Sequence, residues 1–471
     1  MKRIISLLFL LLIFCLGVMR AQTNDYLYLS LDTGNGLSHS NVTAICSDGR
    51  GILWIGTVYG LNCYDGYQMK SYFHKHEEPF SLPGNRIDMI VEDREGTIWV
   101  ATNKGLVRYD RMEDSFIPPF SNVNVSVFSS QETEERILFG GDGLYKYSFN
   151  NNTFEEIHLQ LSLGKSLHII GIHEWSKGVV LLVLSDGTVW EFNELNKEVK
   201  PSVYQSSPIT VLTSYLDSSR NLYLSAYQSG LYIYGNDGKL KKQLNSKTTP
   251  QVYDAIMDME EKDGVLMAST DGGGIYLIKM DDYNQVSVLR HTSGDSNSLP
   301  SNSITCLFKD KLQNIWAGSV RDGAIEIKKT LTRTYKDAPL GVPYGLSNKA
   351  IISTCQDQTG KIWIGTDGGG VNLFNPENDT FKHYSSTYNQ KVVSIVEYSP
   401  SELLISCFNN GLYRFDKSSG KCTPFIIVDT ATNYSLCQNS SLVLVYQISG
   451  NRFLILAGRM PYLYNPQIRN L

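Results

Sequence analysis

An aspartate followed six positions later by a tryptophan recurs four times in this chain: Asp48 and Trp54, Asp93 and Trp99, Asp310 and Trp316, Asp357 and Trp363. No other feature narrows the fold so far, because each copy sits in the same local pattern. Around the second copy, Val91-Glu92-Asp93 ends one strand and Arg94-Glu95-Gly96 turns. Thr97 to Thr102 then forms a second strand, Asn103-Lys104-Gly105 turns again, and Leu106 to Tyr109 forms a third. One such hairpin is marginal alone; repetition supplies the packing it lacks.

The copies and their weaker relatives lie roughly 40 to 50 residues apart, the period of a four-stranded propeller blade. Aligning the hairpins puts Phe139, Leu182, Tyr223 and Met267 at the tryptophan position of intermediate repeats, and Ile405 and Ile455 there near the end. Inner strands read as Val42 to Cys46, Ile87 to Val91, Ile304 to Phe308 and Ile351 to Cys355, and outer strands include Gln68 to Phe73 and Phe381 to Tyr384. A blade leaves sheet edges exposed unless it packs radially on its neighbours, so the blades are expected to close into a ring. The tryptophan is expected between adjacent blades, and the aspartate on the turn amides.

Repeats centred near Trp54, Trp99, Phe139, Leu182, Tyr223, Met267 and Trp316 make about seven, a common propeller size. The pattern then restarts. Tyr344-Gly345-Leu346-Ser347-Asn348 before Trp363 copies Asn35-Gly36-Leu37-Ser38-His39 before Trp54, each preceded by a short aromatic strand, Thr334 to Lys336 or Tyr26 to Leu29. The strand from Tyr26 to Leu31 is expected to close the first ring on the seventh blade. The fold class is therefore all-β: a seven-bladed β-propeller of four-stranded antiparallel blades over residues 22–334, then about three blades of an incomplete second propeller over 335–471. Three blades are too few for a ring, which reads as a fragment of a longer protein.

Lys2-Arg3, the apolar run from Ile4 to Val18, and Met19-Arg20-Ala21 before Gln22 have the layout of a secretory signal over residues 1–21, cleaved after Ala21. A lipoprotein reading at Cys15 is weaker, since bulky Phe14 precedes it. A net charge of -5, with no run of five like charges, argues against nucleic acid and against a polybasic membrane patch. Beyond the signal, Cys46, Cys63, Cys306, Cys355, Cys407, Cys422 and Cys437 include no CxxC pair, so neither a zinc site nor a dense disulfide framework is indicated. Cys46, Cys306 and Cys355 read as small buried hydrophobes at similar repeat positions.

Candidate chemistry is sparse. Asp271-Gly272-Gly273-Gly274 and Asp367-Gly368-Gly369-Gly370 read as turns, since a phosphate cradle needs a following helix and a calcium loop needs spaced carboxylates. His74-Lys75-His76 places two histidines close together without a third ligand and reads as surface loop. Asp281-Asp282 and Glu134-Glu135 fall in turns, and no GxSxG elbow or recognisable Cys-His pairing occurs. Abundant aromatics, with Asn and Asp at turns, offer generic sugar-stacking platforms. No cofactor or metal is implied, and the structural blade motif is the set of aspartates and tryptophans already named.

The stretch from Asn41 through Leu53-Trp54-Ile55-Gly56-Thr57 to Gly60-Leu61-Asn62-Cys63-Tyr64-Asp65-Gly66, echoed by Ile362-Trp363-Ile364-Gly365-Thr366, resembles the two-component regulator propeller repeat. Gln313-Asn314 and Ser319 around Trp316 depart from that pattern, and blades three to six depart further. The resemblance implies the periplasmic sensor region of a Bacteroidetes hybrid histidine kinase. It further implies an oligosaccharide ligand, homodimerisation of the full receptor, control of polysaccharide-utilisation genes, and membrane attachment only through parts C-terminal to this stretch. It implies no catalysis within the stretch, which has no kinase, receiver or DNA-binding module. It carries over no ligand-binding residue. A secreted propeller lyase or glycosidase, and an interaction scaffold on the envelope, are the other classes left open.

Overall fold

The computed structural model describes residues 26–118, 127–159, 168–204, 209–249, 255–330, 334–426, 428–429, 434–435, 442–448, 452–457 and 460–466. The expected signal and Cys437 lie outside them. The chain forms two compact units, one of residues 24–291 and 298–331 and the other of 292–297 and 332–471.

The first unit holds seven four-stranded antiparallel sheets, each a blade. The second strands of blades 1 to 7 are Leu53–Thr57, Ile98–Thr102, Arg136–Gly141, Val179–Leu184, Leu222–Ala226, Val265–Thr270 and Ile315–Ser319. Each blade's first strand lies beside the first strand of the next, and that of blade 7 beside that of blade 1, so the row closes on itself. The N-terminal strand Tyr26–Leu31 supplies the fourth strand of blade 7, pairing antiparallel with Ala324–Lys329. The first and last strands of the first unit thus meet in one sheet, which closes the ring.

The second unit continues the pattern with blades 8 and 9, whose second strands are Ile362–Thr366 and Glu402–Cys407. A three-stranded blade 10 follows, with Phe453–Ala457 as its middle strand. Thr334 to Lys336 is not a strand, contrary to the sequence reading. Tyr335 instead packs its ring on Phe374 and Phe381, each 5.1 Å away, and donates its hydroxyl to Asp379.

One rule builds every junction between blades. The first residue of each inner strand pairs with a second-strand residue, and the residue three positions before that partner points at the following blade. Val42 pairs with Thr57 and marks Trp54; Ile87 pairs with Thr102 and marks Trp99. The same count marks Tyr223, Met267, Trp316 and Trp363. In the remaining blades it marks Leu138, Leu181, Leu404 and Leu454, so Phe139, Leu182, Ile405 and Ile455 are each one residue off. A one-residue slip reverses the face of a strand. Those four residues belong to the receiving face: Trp99 packs with Ile137 and Phe139, Leu138 with Val180 and Leu182, Trp363 with Leu403 and Ile405, and Leu404 with Phe453 and Ile455. Trp316 packs with Leu53 and Ile55 and so closes the ring. Each junction is an apolar layer in which a large side chain, where fully buried, contributes about 1.5–3 kcal/mol by leaving water.

Candidate ligand-binding end of the ring

Antiparallel blades put two kinds of turn at opposite ends of the ring. The turns between first and second strands carry the motif aspartates. Asp93 accepts the amides of Glu95 and Thr97 at 3.0 and 2.9 Å on Oδ1, and the indole Nε1–H of Trp99 at 2.7 Å on Oδ2. Asp48 does the same for Arg50, Ile52 and Trp54, and also takes a 2.8 Å bond from Arg111 Nη2 of blade 2. Asp310 and Asp357 repeat the arrangement with Trp316 and Trp363, the indoles donating at 3.3 and 2.9 Å. Burial pushes the Asp48 carboxyl up, but the bonds from Arg111, Trp54 and the turn amides outweigh it and hold the group below its usual range. A fifth copy has tyrosine in place of tryptophan: Asp217 accepts the Asn221 amide at 2.7 Å and the Tyr223 hydroxyl at 3.1 Å. These side chains are used up in holding turns and junctions.

The opposite end is made of turns between second and third strands and of the connections that lead into each following blade. In blade 1, Thr57 Oγ1 donates to the Gly60 carbonyl at 2.9 Å and accepts the Tyr59 amide at 3.0 Å, clamping the turn. Thr102, Thr270 and Thr366 bond the matching glycine carbonyls, and Ser319 keeps the bond at 3.0 Å although it departs from the motif threonine. The two Gly-rich runs are turns of this kind. His74 is equally structural, its Nδ1 lying 2.7 Å from the Leu82 carbonyl. Cys46 and Cys306 are buried and Cys355 only half-buried. Cys306 stands opposite Gly318 while Cys46 and Cys355 stand opposite tryptophans, so the three do not share one repeat position.

Blade 5 has Ala226 where these others have a hydroxyl, and its turn is built differently. The Ser229 amide bonds the Ala226 carbonyl at 3.1 Å, Gln228 takes a left-handed φ of 59°, and Gln243 Nε2 donates to the Ser229 carbonyl at 3.0 Å. Beside this turn lies a cleft of about 130 Å³ lined by Gln228, Ser229, Gln243, Asn245, Ser246 and Lys247. Tyr227, 53% exposed, borders it in sequence, and Tyr59, 55% exposed, presents a second ring at the same end of blade 1. Sequence reasoning missed the cleft, and the alanine gives no signal of it, since Gly141, Leu184, Cys407 and Ala457 lack the hydroxyl at the same position of blades 3, 4, 9 and 10.

Two titratable groups tie inner strands together. Asp258 accepts the Met259 amide and, from blade 7, the Leu307 amide, each at 2.8 Å, and burial pushes its carboxyl up to about 7. His173 Nε2 lies 2.8 Å from Ser214 Oγ of blade 5, and burial pushes the imidazole down to about 4. Among the described residues no group of three or more His, Cys, Asp or Glu side chains is placed to hold a metal ion, and no helix is long and apolar enough to cross a membrane.

The description "two component regulator propeller" matches the sequence at residues 36–59, 81–104, 298–321 and 345–368, the hairpins of blades 1, 2, 7 and 8. Four hairpins of the chain thus carry the two-component regulator propeller repeat. Among solved structures, this propeller chain is similar to the extracellular domain of the hybrid two component system BT3049 from B. thetaiotaomicron. The identity is 20% and the TM-score 0.61, over 94% of this chain and 66% of that one. The extracellular domain of BT4673 from the same organism matches at 19% identity and TM-score 0.53, with the same coverage. These likenesses establish the shared fold. A short stretch of 64 residues is 38% identical to histidine kinase P4 of Formosa agariphila, covering 14% of this chain and 5% of that one. The chain thus spans less than two thirds of the solved domains and a small part of the kinase.

Proposed function

We propose that this propeller chain is the extracytoplasmic sensing portion of a hybrid two-component receptor and that it binds an oligosaccharide without transforming it. The observation that carries the reading is the four matched regulator repeats, three in the ring and one in blade 8, whose motif aspartates and tryptophans are engaged in holding the fold. In this reading the ligand biases the conformation or pairing of a homodimeric receptor in the inner membrane, with the propellers in the periplasm, and the signal passes to polysaccharide-utilisation genes through parts outside this stretch. The end of the ring bearing Tyr59, Tyr227 and the blade 5 cleft suits such a ligand, since sugars stack on exposed rings and bond planar amides.

Calorimetric titration of the purified chain with a panel of polysaccharide-derived oligosaccharides tests the reading. Saturable binding of at least one, recovered unchanged, is the expected result. Release of reducing or unsaturated ends would replace the sensor with a propeller hydrolase or lyase, and failure of the whole panel would remove the ligand class.

A further inference from the structure

The blade 5 cleft holds groups whose hydrogen-bonding capacity is left over in a defined orientation. Gln243 Nε2 is committed to the Ser229 carbonyl at 3.0 Å, which leaves Gln243 Oε1 as a fixed acceptor. Asn245 Oδ1 takes the amides of Lys247 and Thr248 at 3.0 and 2.8 Å, which leaves Asn245 Nδ2 as a fixed donor. Gln228 and Lys247 line the same cleft. The lining holds one cation and no carboxylate, unlike the matching turn of blade 8, where Lys391 is paired with Asp367 at 2.8 Å. Donor, acceptor and positive charge therefore meet in one cleft, next in sequence to the exposed Tyr227.

We propose that this cleft is a subsite for one acidic sugar unit of the oligosaccharide, a uronate, with its carboxylate on Lys247 and its hydroxyls on Gln243, Asn245 and Gln228. The assignment rests on the sensor reading above. At about 130 Å³ the cleft is smaller than the 300–1,000 Å³ usual for drug-sized ligands, so we assign it one unit of a longer chain. The charge-assisted bond to Lys247 distinguishes acidic from neutral sugars, and Tyr227 supplies the stacking face for the neighbouring unit.

The test titrates the full chain and its Lys247→Gln and Gln228→Ala variants with short oligogalacturonides and with neutral galacto-oligosaccharides of equal length. Both substitutions are at exposed side chains, and circular dichroism checks that the fold is retained. The expected result is acidic over neutral preference in the parent chain, Kd weakened about tenfold by Lys247→Gln and about fivefold by Gln228→Ala, and preference reduced only by the former. Acidic sugars bound with the same Kd by parent and both variants would overturn the cleft while leaving the sensor reading intact. Neutral sugars bound as tightly as acidic ones would overturn the assignment of an acidic unit. Binding of neither probe, with other saccharides of the panel still bound, would also overturn the assignment; loss of the entire panel would overturn the sensor reading itself.

Discussion

Blade 2 buries Trp99 against Ile137 and Phe139 of blade 3, and blade 3 in turn buries Leu138 against Val180 and Leu182 of blade 4. The two junctions have the same geometry and different chemistry. The indole of Trp99 brings an N–H into a dry layer and needs an acceptor, which Asp93 supplies while it also closes its turn. Leu138 brings no polar atom, and its turn is one residue shorter, with the Thr133 amide on the Arg136 carbonyl instead of the four-residue span from Asp93 to Thr97. The division runs through the whole chain. Trp54, Trp99, Tyr223, Trp316 and Trp363 each bond an aspartate six residues earlier. Leu138, Leu181, Met267, Leu404 and Leu454 have none at that distance. The aspartate is the companion of a polar-edged aromatic, not a fixed requirement of the blade.

The largest effect expected from this contrast is at the aromatic itself. Trp99 is fully buried and packs on Phe139, Tyr147 and Phe154, so Trp99→Ala should destabilise the first unit by about 3–5 kcal/mol in denaturant unfolding. Leu138→Ala should cost about 2–5 kcal/mol. Next in size is the aspartate. Asp93→Ala should cost about 2 kcal/mol by stranding the indole and two amides, and about half of that should vanish when Trp99 is already leucine. An undiminished loss in the leucine background would mean that the aspartate serves its turn alone.

Acid should separate the two kinds of carboxylate. Asp48 and Asp357 have their pKa lowered in the folded chain, despite burial, by the bonds they accept. Their stabilisation is present above the unfolded carboxylate range and is lost as pH falls below that range and through the lowered folded pKa. Asp258 is the reverse, since burial raises it from 3.8 to about 7. The folded chain therefore holds that proton where the unfolded chain releases it, and its contribution is full below about pH 4 and lost as pH rises to about 7. Unfolding of Asp258→Asn followed from pH 4 to 8 should lack that falling slope, a smaller effect than loss of Trp99.

The blades with the aromatic were legible because the motif fixes strand, turn and register together. Asp48 to Trp54 leaves one way to set the hairpin, and blades 1, 2, 7 and 8 lie where the sequence places them. Blades 3, 4, 9 and 10 were legible as hairpins and not in register, because Ile-Leu-Phe, Val-Leu-Leu-Val, Leu-Leu-Ile and Phe-Leu-Ile-Leu are apolar on both faces and alternation carries no signal. Tyr223 and Met267 fell right. The ligand-binding end was illegible for a different reason: Gln228, Gln243 and Asn245 lie on either side of a strand pair, and only the fold brings them to one cleft.

The register of the motif-free blades is tested most directly by a double-mutant cycle across the blade 2 and blade 3 junction, pairing Trp99→Leu first with Phe139→Leu and then with Leu138→Ala. The rings of Trp99 and Phe139 are 5.2 Å apart, so the first pair should couple by about 0.5–1.5 kcal/mol, while Leu138, on the far face of the sheet, should be additive with Trp99. Coupling of Trp99 to Leu138 in place of Phe139 would contradict the junction rule.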